Sequence, residues 1–185
     1  THDRKYVNHI GTTTEAPYRI TWNTCMIPDQ PGPMAVKALV EFSNGLSCWS
    51  EILEGITFPE KRSKVQLIYC NSLPTPFWSR AGKTLKAVFE VPGKPSDIES
   101  AELHVRIWDG GEGMIREPFT LNQVSYKITS GKSVHDLVYT KNQVDPGTLK
   151  QGINEIRLLS DTDHHGIEIC WPGPALIIKY KSAAK

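Results

Sequence analysis

The feature that most limits what this chain can become is the alternation across residues 101–108. Leu103, Val105 and Ile107 alternate there with His104, Arg106 and Trp108. A period of two puts the first set on one face of a strand and the second on the other. The pattern recurs in residues 153–159, 167–171 and 175–180, the last two segments being separated by Pro172-Gly173-Pro174. No window of helical length sustains a period of 3.6.

The chain upstream has the same short grammar. Residues 18–26 alternate and carry Tyr, Ile, Thr and Trp, which predicts a strand, whereas residues 27–33 hold three prolines and one glycine and predict a loop. Residues 35–42 read as a strand closed by the hairpin signal Ser43-Asn44-Gly45, with 47–52 as the return. Further strands are predicted at 65–70, 85–91, 119–121, 125–129 and 135–140, and Pro146 opens a single helical turn within 144–149. Together these predict an all-β fold, an antiparallel β-sandwich of jelly-roll type with short or no helices. Residues 1–17 lack any period and read as an irregular arm. Residues 18–181 read as one sandwich domain, because either half alone would leave bare strand edges.

The net charge is +1 and no Lys/Arg run stands out, which argues against a nucleic-acid partner. No apolar stretch is long enough to span a bilayer, so no membrane role is expected. Thr1 is neither an initiating Met nor followed by a signal-like apolar segment, as expected of a piece of a longer protein. Cys25, Cys48, Cys70 and Cys170 form no C-x-x-C pair. They permit two disulfides or four free thiols. A domain of this size needs no staples and favours small thiols buried on strands.

A second pattern overlies the first. A strand opens Ala-x-Leu at Ala101 and Leu103, a second carries Asn122 before a turn, and Leu149, Gly152, Asn154 and Ile156 spell Leu-x-x-Gly-x-Asn-x-Ile. In these residues the chain from Ala101 onward resembles the galactose-binding-like jelly rolls. Those occur as carbohydrate-binding modules and as accessory domains of polysaccharide lyases and glycoside hydrolases. The sequence departs from them at Gln123, where such domains usually carry Gly. The resemblance implies an extracellular, secreted module that binds a polysaccharide or oligosaccharide, accompanied by a catalytic domain in the same polypeptide. It does not extend to residues 160–166, so no family ligand carries over.

Three groups of residues have the chemistry for a site. His104, Arg106 and Trp108 share a strand face, where an indole can stack on a sugar ring and Arg can grip paired hydroxyls or a carboxylate. Glu155, Arg157, Glu168 and Lys179 join that patch if their strands are its neighbours, although an ordinary solvated sheet face looks the same. The run Asp161-Thr162-Asp163-His164-His165 lies between two strands. Asp161 and Asp163 could gather oxygen around Ca2+, the run could contact a ligand, or it could be a hydrogen-bonded turn. Trp78 sits in a Pro-rich loop suited to a ligand platform, while Trp22, Trp49 and Trp171 are candidates for the core.

The favoured reading is a non-catalytic carbohydrate-binding module; the alternative is a small polysaccharide lyase or metal-assisted hydrolase using residues 161–165. Replacing Trp108 and Trp78 together by Ala is expected to abolish retention on polysaccharide gels, and unchanged migration would refute those two residues as the platform.

Overall fold

The structure, a computed structural model, describes residues 10–74, 78–79, 84–109, 119–126, 136–158, 167–170 and 173–182. In chain order the strands are β1 (Met34–Val36), β2 (Leu39–Glu41), β3 (Ser47–Trp49), β4 (Leu53–Ile56), β5 (Val65–Tyr69), β6 (Trp78–Ser79) and β7 (Leu85–Val91). They continue with β8 (Ile98–Asp109), β9 (Phe119–Leu121), β10 (Val124–Tyr126), β11 (Asp136–Val144), β12 (Gly152–Leu158), β13 (Ile167–Ile169) and β14 (Ala175–Tyr180). Pro95–Asp97 and Pro146–Thr148 form single 3-10 turns. The fold is all-β, as its alternation predicts.

Strand β8 organises the larger sheet. Residues 101–109 pair with β11 along one edge. Along the other edge β14 pairs with the first part of β8, from Ile98 to His104, and β13 with its end, from Ile107 to Asp109. β5 lies beyond β14, and β6 beyond β13. The smaller sheet runs β10-β9-β12-β7. The two sheets face each other through Leu103, Val105, Ile107, Leu176 and Ile178 on one side and Phe89, Phe119, Leu121, Ile156 and Leu158 on the other. None of these is more than 1% exposed. Burying each such side chain contributes about 2 kcal/mol.

One corner is held by two asparagines. Asn154 is fully buried, and its amide donates to the carbonyls of Lys150 (2.8 Å) and Gly152 (2.9 Å) while its oxygen accepts from Lys150 N (2.8 Å) and Asn122 Nδ2 (2.7 Å). Asn122 also donates to the Thr148 carbonyl at 2.9 Å and accepts from Glu155 N at 3.1 Å. Gly152 has φ +86°, the left-handed conformation that makes the tight entry to β12 cheap for glycine. Asn122 and Gln123 both have positive φ, 49° and 74°, in the β9–β10 turn. Glycine adopts such a conformation without strain, and Gln123 occupies it at a cost.

Residues 10–64 add nothing to this core cluster. They form two small sheets, β1 with β4 and β2 with β3. Several expectations are corrected here. Residues 18–26 form no strand. The predicted strand at 35–42 is split into β1 and β2, which pair with different partners. Trp22 and Trp49 lie outside the core: Trp22 packs near Phe58 (6.4 Å between ring centroids), and Trp49 is 54% exposed with Lys37 Nζ 4.2 Å from its ring. All four cysteines are free, but Cys25 and Cys48 are exposed because they sit in this segment. Cys70 and Cys170 are partly buried, and burial pushes both thiols up.

The segment is fastened to the sandwich at one end. Asp29 exchanges backbone and side-chain hydrogen bonds with Val65 and pairs with Arg62 at 3.3 Å. The Arg62 guanidinium lies 3.9 Å from the Phe58 ring centroid and donates to the Ile27 carbonyl. Met26 reaches Ser100, whose hydroxyl donates to its sulfur at 3.2 Å.

The asparagine corner is expected to be a stability hot spot. Asn154→Ala takes the side-chain partner from the Lys150 N–H and from the Lys150 and Gly152 carbonyls, removes one of the two bonds of Asn122 Nδ2, and should cost about 3 kcal/mol in urea denaturation. Gln123→Gly relieves the left-handed turn and should stabilise by about 0.5 kcal/mol. A loss below 1 kcal/mol for Asn154→Ala would overturn this assignment.

Candidate functional site

Residues opposite one another on antiparallel strands project to the same face, so the pairing register lays out the outer surface of the larger sheet as rows. One row is Leu67, Ile177, Glu102 and Gln143. The next is Tyr69, Ala175, His104 and Lys141. Then come Arg106 and Tyr139, with Cys170 N donating to the Arg106 carbonyl from the other side. The last row is Glu168, Trp108 and Leu137, and the Trp78 backbone pairs with Glu168 from the far side. His104, Arg106 and Trp108 therefore share the outer face, opposite the buried Leu103, Val105 and Ile107, and Trp78 lies two strands from Trp108. Asp161, Asp163, His164 and His165 lie outside the described residues.

The middle rows form one hydrogen-bonded network. Glu102 is 4% exposed although it sits on the outer sheet face. Its Oε2 accepts from His104 Nε2 at 2.9 Å, and its Oε1 accepts from Gln143 Nε2 at 2.8 Å and faces Lys141 Nζ at 3.5 Å. On the other ring nitrogen, His104 Nδ1 meets the Tyr139 hydroxyl, and the two rings pack edge to face with centroids 5.8 Å apart. Burial alone would raise the Glu102 carboxyl; hydrogen bonds from His104 and Gln143 and the Lys141 charge outweigh it and hold the group below its usual range. Burial lowers His104 below the ordinary imidazole value despite the pull of Glu102. Burial, followed by the Glu102 charge, raises Tyr139.

These directions assign the protons. An ionised Glu102 only accepts, so His104 Nε2 carries the hydrogen. A neutral imidazole then leaves Nδ1 as acceptor, and the Tyr139 hydroxyl donates to it. The result is a fixed chain from Tyr139 through His104 to Glu102. Tyr139 is nevertheless 59% exposed, and Tyr69, in the adjoining row, is 54% exposed. An aromatic ring is thus presented to solvent on a rigid polar frame.

Sequence reasoning placed His104, Arg106 and Trp108 on this face but passed over Glu102 and Tyr139. Glu102 was detectable, since it stands two residues before His104. Tyr139 was not, since its place opposite Arg106 depends on the β8–β11 register. The expected charged patch is divided. Glu168 and Lys179 are on the larger sheet. Glu155 and Arg157 belong to β12 in the smaller one, where Glu155 pairs with Arg157 at 2.5 Å and Lys86 at 3.4 Å. No group of three or more His, Cys, Asp or Glu able to hold a metal occurs among the described residues. No helix among them is long and apolar enough to cross a membrane. An open groove of about 390 Å³ lies elsewhere, lined by Met34, Phe58, Glu60, Arg62 and Lys64 among others, and Arg62 there is paired with Asp29 within the N-terminal segment.

No protein-family model and no curated protein matches this sequence. Solved structures do share its fold. The β-porphyranase BpGH86A, of glycoside hydrolase family 86 from the human gut bacterium Bacteroides plebeius, is similar with a TM-score of 0.51 at 11% identity, over 81% of this chain and 33% of that one. A variant of BuGH86 in complex with neoagarooctaose is similar with a TM-score of 0.51 at 13% identity, over 85% of this chain and 29% of that one. The wild-type BuGH86 complex with the same oligosaccharide has the same TM-score at 12% identity. This chain thus spans a third or less of those proteins, and at these identities the likeness is one of fold.

The network has a pH signature. His104 should titrate below its ordinary 6.5 when followed by NMR of its ring protons. A lowered folded-state value means the unfolded chain takes up the proton first, so stability is full above about pH 6.5 and declines as pH falls through the lowered value. Glu102 adds a loss of the same sign at lower pH, because its folded value is also depressed. Glu102→Gln removes the partner that raises His104 and should push the imidazole down further. A midpoint above 6.5 in the unaltered protein would refute the proton assignment.

Proposed function

We propose that this chain is a non-catalytic carbohydrate-binding or accessory β-sandwich of the galactose-binding-like kind, from a secreted polysaccharide-processing protein with a catalytic domain in the same polypeptide. The observation that carries the proposal is Tyr139. Its ring is open to solvent while its hydroxyl is held by the His104–Glu102 chain. A ring fixed in this way can stack on the apolar face of a sugar without first losing rotamer freedom. Trp108 extends the surface at one end, and Lys141 and Arg106 supply donors for hydroxyls. Residues 160–166 lead into β13 at Ile167, which pairs with Asp109 at the end of β8. Asp161, Asp163, His164 and His165 on that connection are proposed as further ligand contacts, with Asp161 and Asp163 as a Ca2+ site.

Two further points bear on the reading. Both nitrogens of His104 are engaged within the protein, one by Glu102 and the other by Tyr139. The fold is shared with parts of glycoside hydrolase family 86 proteins, two of whose structures hold neoagarooctaose. A shallow sheet face with one or two stacks and wet hydrogen bonds fits affinities of roughly micromolar to millimolar.

Affinity electrophoresis against a panel of polysaccharides that includes agarose tests the reading. Tyr139→Ala should weaken retention about tenfold, whereas Tyr139→Phe keeps the ring and should lose much less. Equal retention of the unaltered protein and Tyr139→Ala would overturn it.

A further inference from the structure

Among the described residues, Arg106 is the one on this face with a buried side-chain polar atom that the protein leaves without a partner. Its Nε is buried and has no hydrogen-bond partner, which is true of no other buried side-chain nitrogen or oxygen among the described residues. A buried donor without an acceptor is costly, more so when it carries charge, and a small shift of the side chain toward an acceptor supplied from outside the chain would relieve that cost. The neighbours of Arg106 do not complete it. Tyr139, directly opposite on β11, gives its hydroxyl to His104. The Glu102 carboxylate is taken up by His104, Gln143 and Lys141. On the β13 side stand Cys170, whose thiol is pushed up by burial and whose backbone N bonds the Arg106 carbonyl, and the exposed Glu168, one row further on beside Trp108. Lys141, its side chain 54% exposed, adds a second cation in the adjoining row.

We infer that Arg106, with Lys141, forms a subsite for an acidic substituent, a carboxylate or a sulfate ester, on the sugar that stacks on Tyr139. This rests on the reading of the face as a carbohydrate site and narrows it to acidic oligosaccharides. The guanidinium is the suitable group, being planar, permanently charged and able to donate paired hydrogen bonds to two oxygens of one anion. The neutral His104 contributes no charge and serves to hold the aromatic ring beside it. Carboxylate and sulfate present the same paired oxygens, and the ligands chosen for the test separate them.

The test is isothermal titration with three oligosaccharides of one backbone: neutral, uronate-bearing and sulfated. At low salt the unaltered protein should bind one or both acidic forms about tenfold more tightly than the neutral one. That preference should shrink as salt is raised to about 0.5 M, since the added contact is between charges. Arg106→Gln should bring the acidic-to-neutral ratio close to one, and Arg106→Lys should restore it only in part, because the point charge survives without the planar fork. Equal affinity of the unaltered protein for neutral and acidic forms would overturn the acidic subsite while leaving the sugar site standing. Binding of none of the three would overturn both. Because the salt and ligand comparisons use the unaltered protein, a variant that fails to fold does not blunt the test.

Discussion

Strand β8 is paired along both edges, and that constraint places everything else in the larger sheet. With its backbone groups satisfied on two sides, it cannot rotate or slip without breaking two ladders together. Between Ala101 and Trp108 its odd-numbered residues are therefore locked into the core and its even-numbered residues onto the outer face. The inner set supplies the apolar burial that holds the two sheets together. The outer set, Glu102, His104, Arg106 and Trp108, is delivered in a straight row as a consequence. The candidate site is thus the reverse side of the strand that anchors the fold.

A buried carboxylate on an outer sheet face needs an explanation, since removing a charge from water is expensive unless it is matched. Glu102 is matched by three donors on two strands, and each partner is held in return. The consequence is rigidity in a place where most sheets carry loose, solvated side chains. Tyr139 inherits that rigidity through His104. Arg106 stands in the neighbouring position without such a match. A saturated carboxylate and a guanidinium with one buried, unpartnered nitrogen thus stand two rows apart on the same face.

The N-terminal segment follows a different logic. It buries no part of the sandwich core and is held by local devices: the Asp29–Val65 exchange, the Arg62 clamp on Asp29, Ile27 and Phe58, and the Met26–Ser100 contact. Its short strands pair only with one another, so its apolar residues remain largely exposed, among them Leu46, Trp49 and Leu53. This is why composition misled the placement of Trp22 and Trp49. A large aromatic in a strand-like segment predicts burial only when a second layer exists to cover it.

Much of the fold could be read from the chain. The strands β7, β9 and β14 fall where alternation puts them, and the division of residues 103–108 between two faces holds residue by residue. The Gly152 and Asn154 turn works as the pattern suggests, because these features depend on neighbours within a few positions. What the sequence could not supply was partnership. Whether Glu155 shares a sheet with His104, whether Tyr139 sits opposite Arg106, and whether Glu102 is exposed or matched all depend on which strands lie side by side. Pairing is decided by the fit of two whole sheet faces around one core, a property of the assembled chain rather than of any segment. Local period therefore determined which residues point outward, and only tertiary structure decided which of them meet.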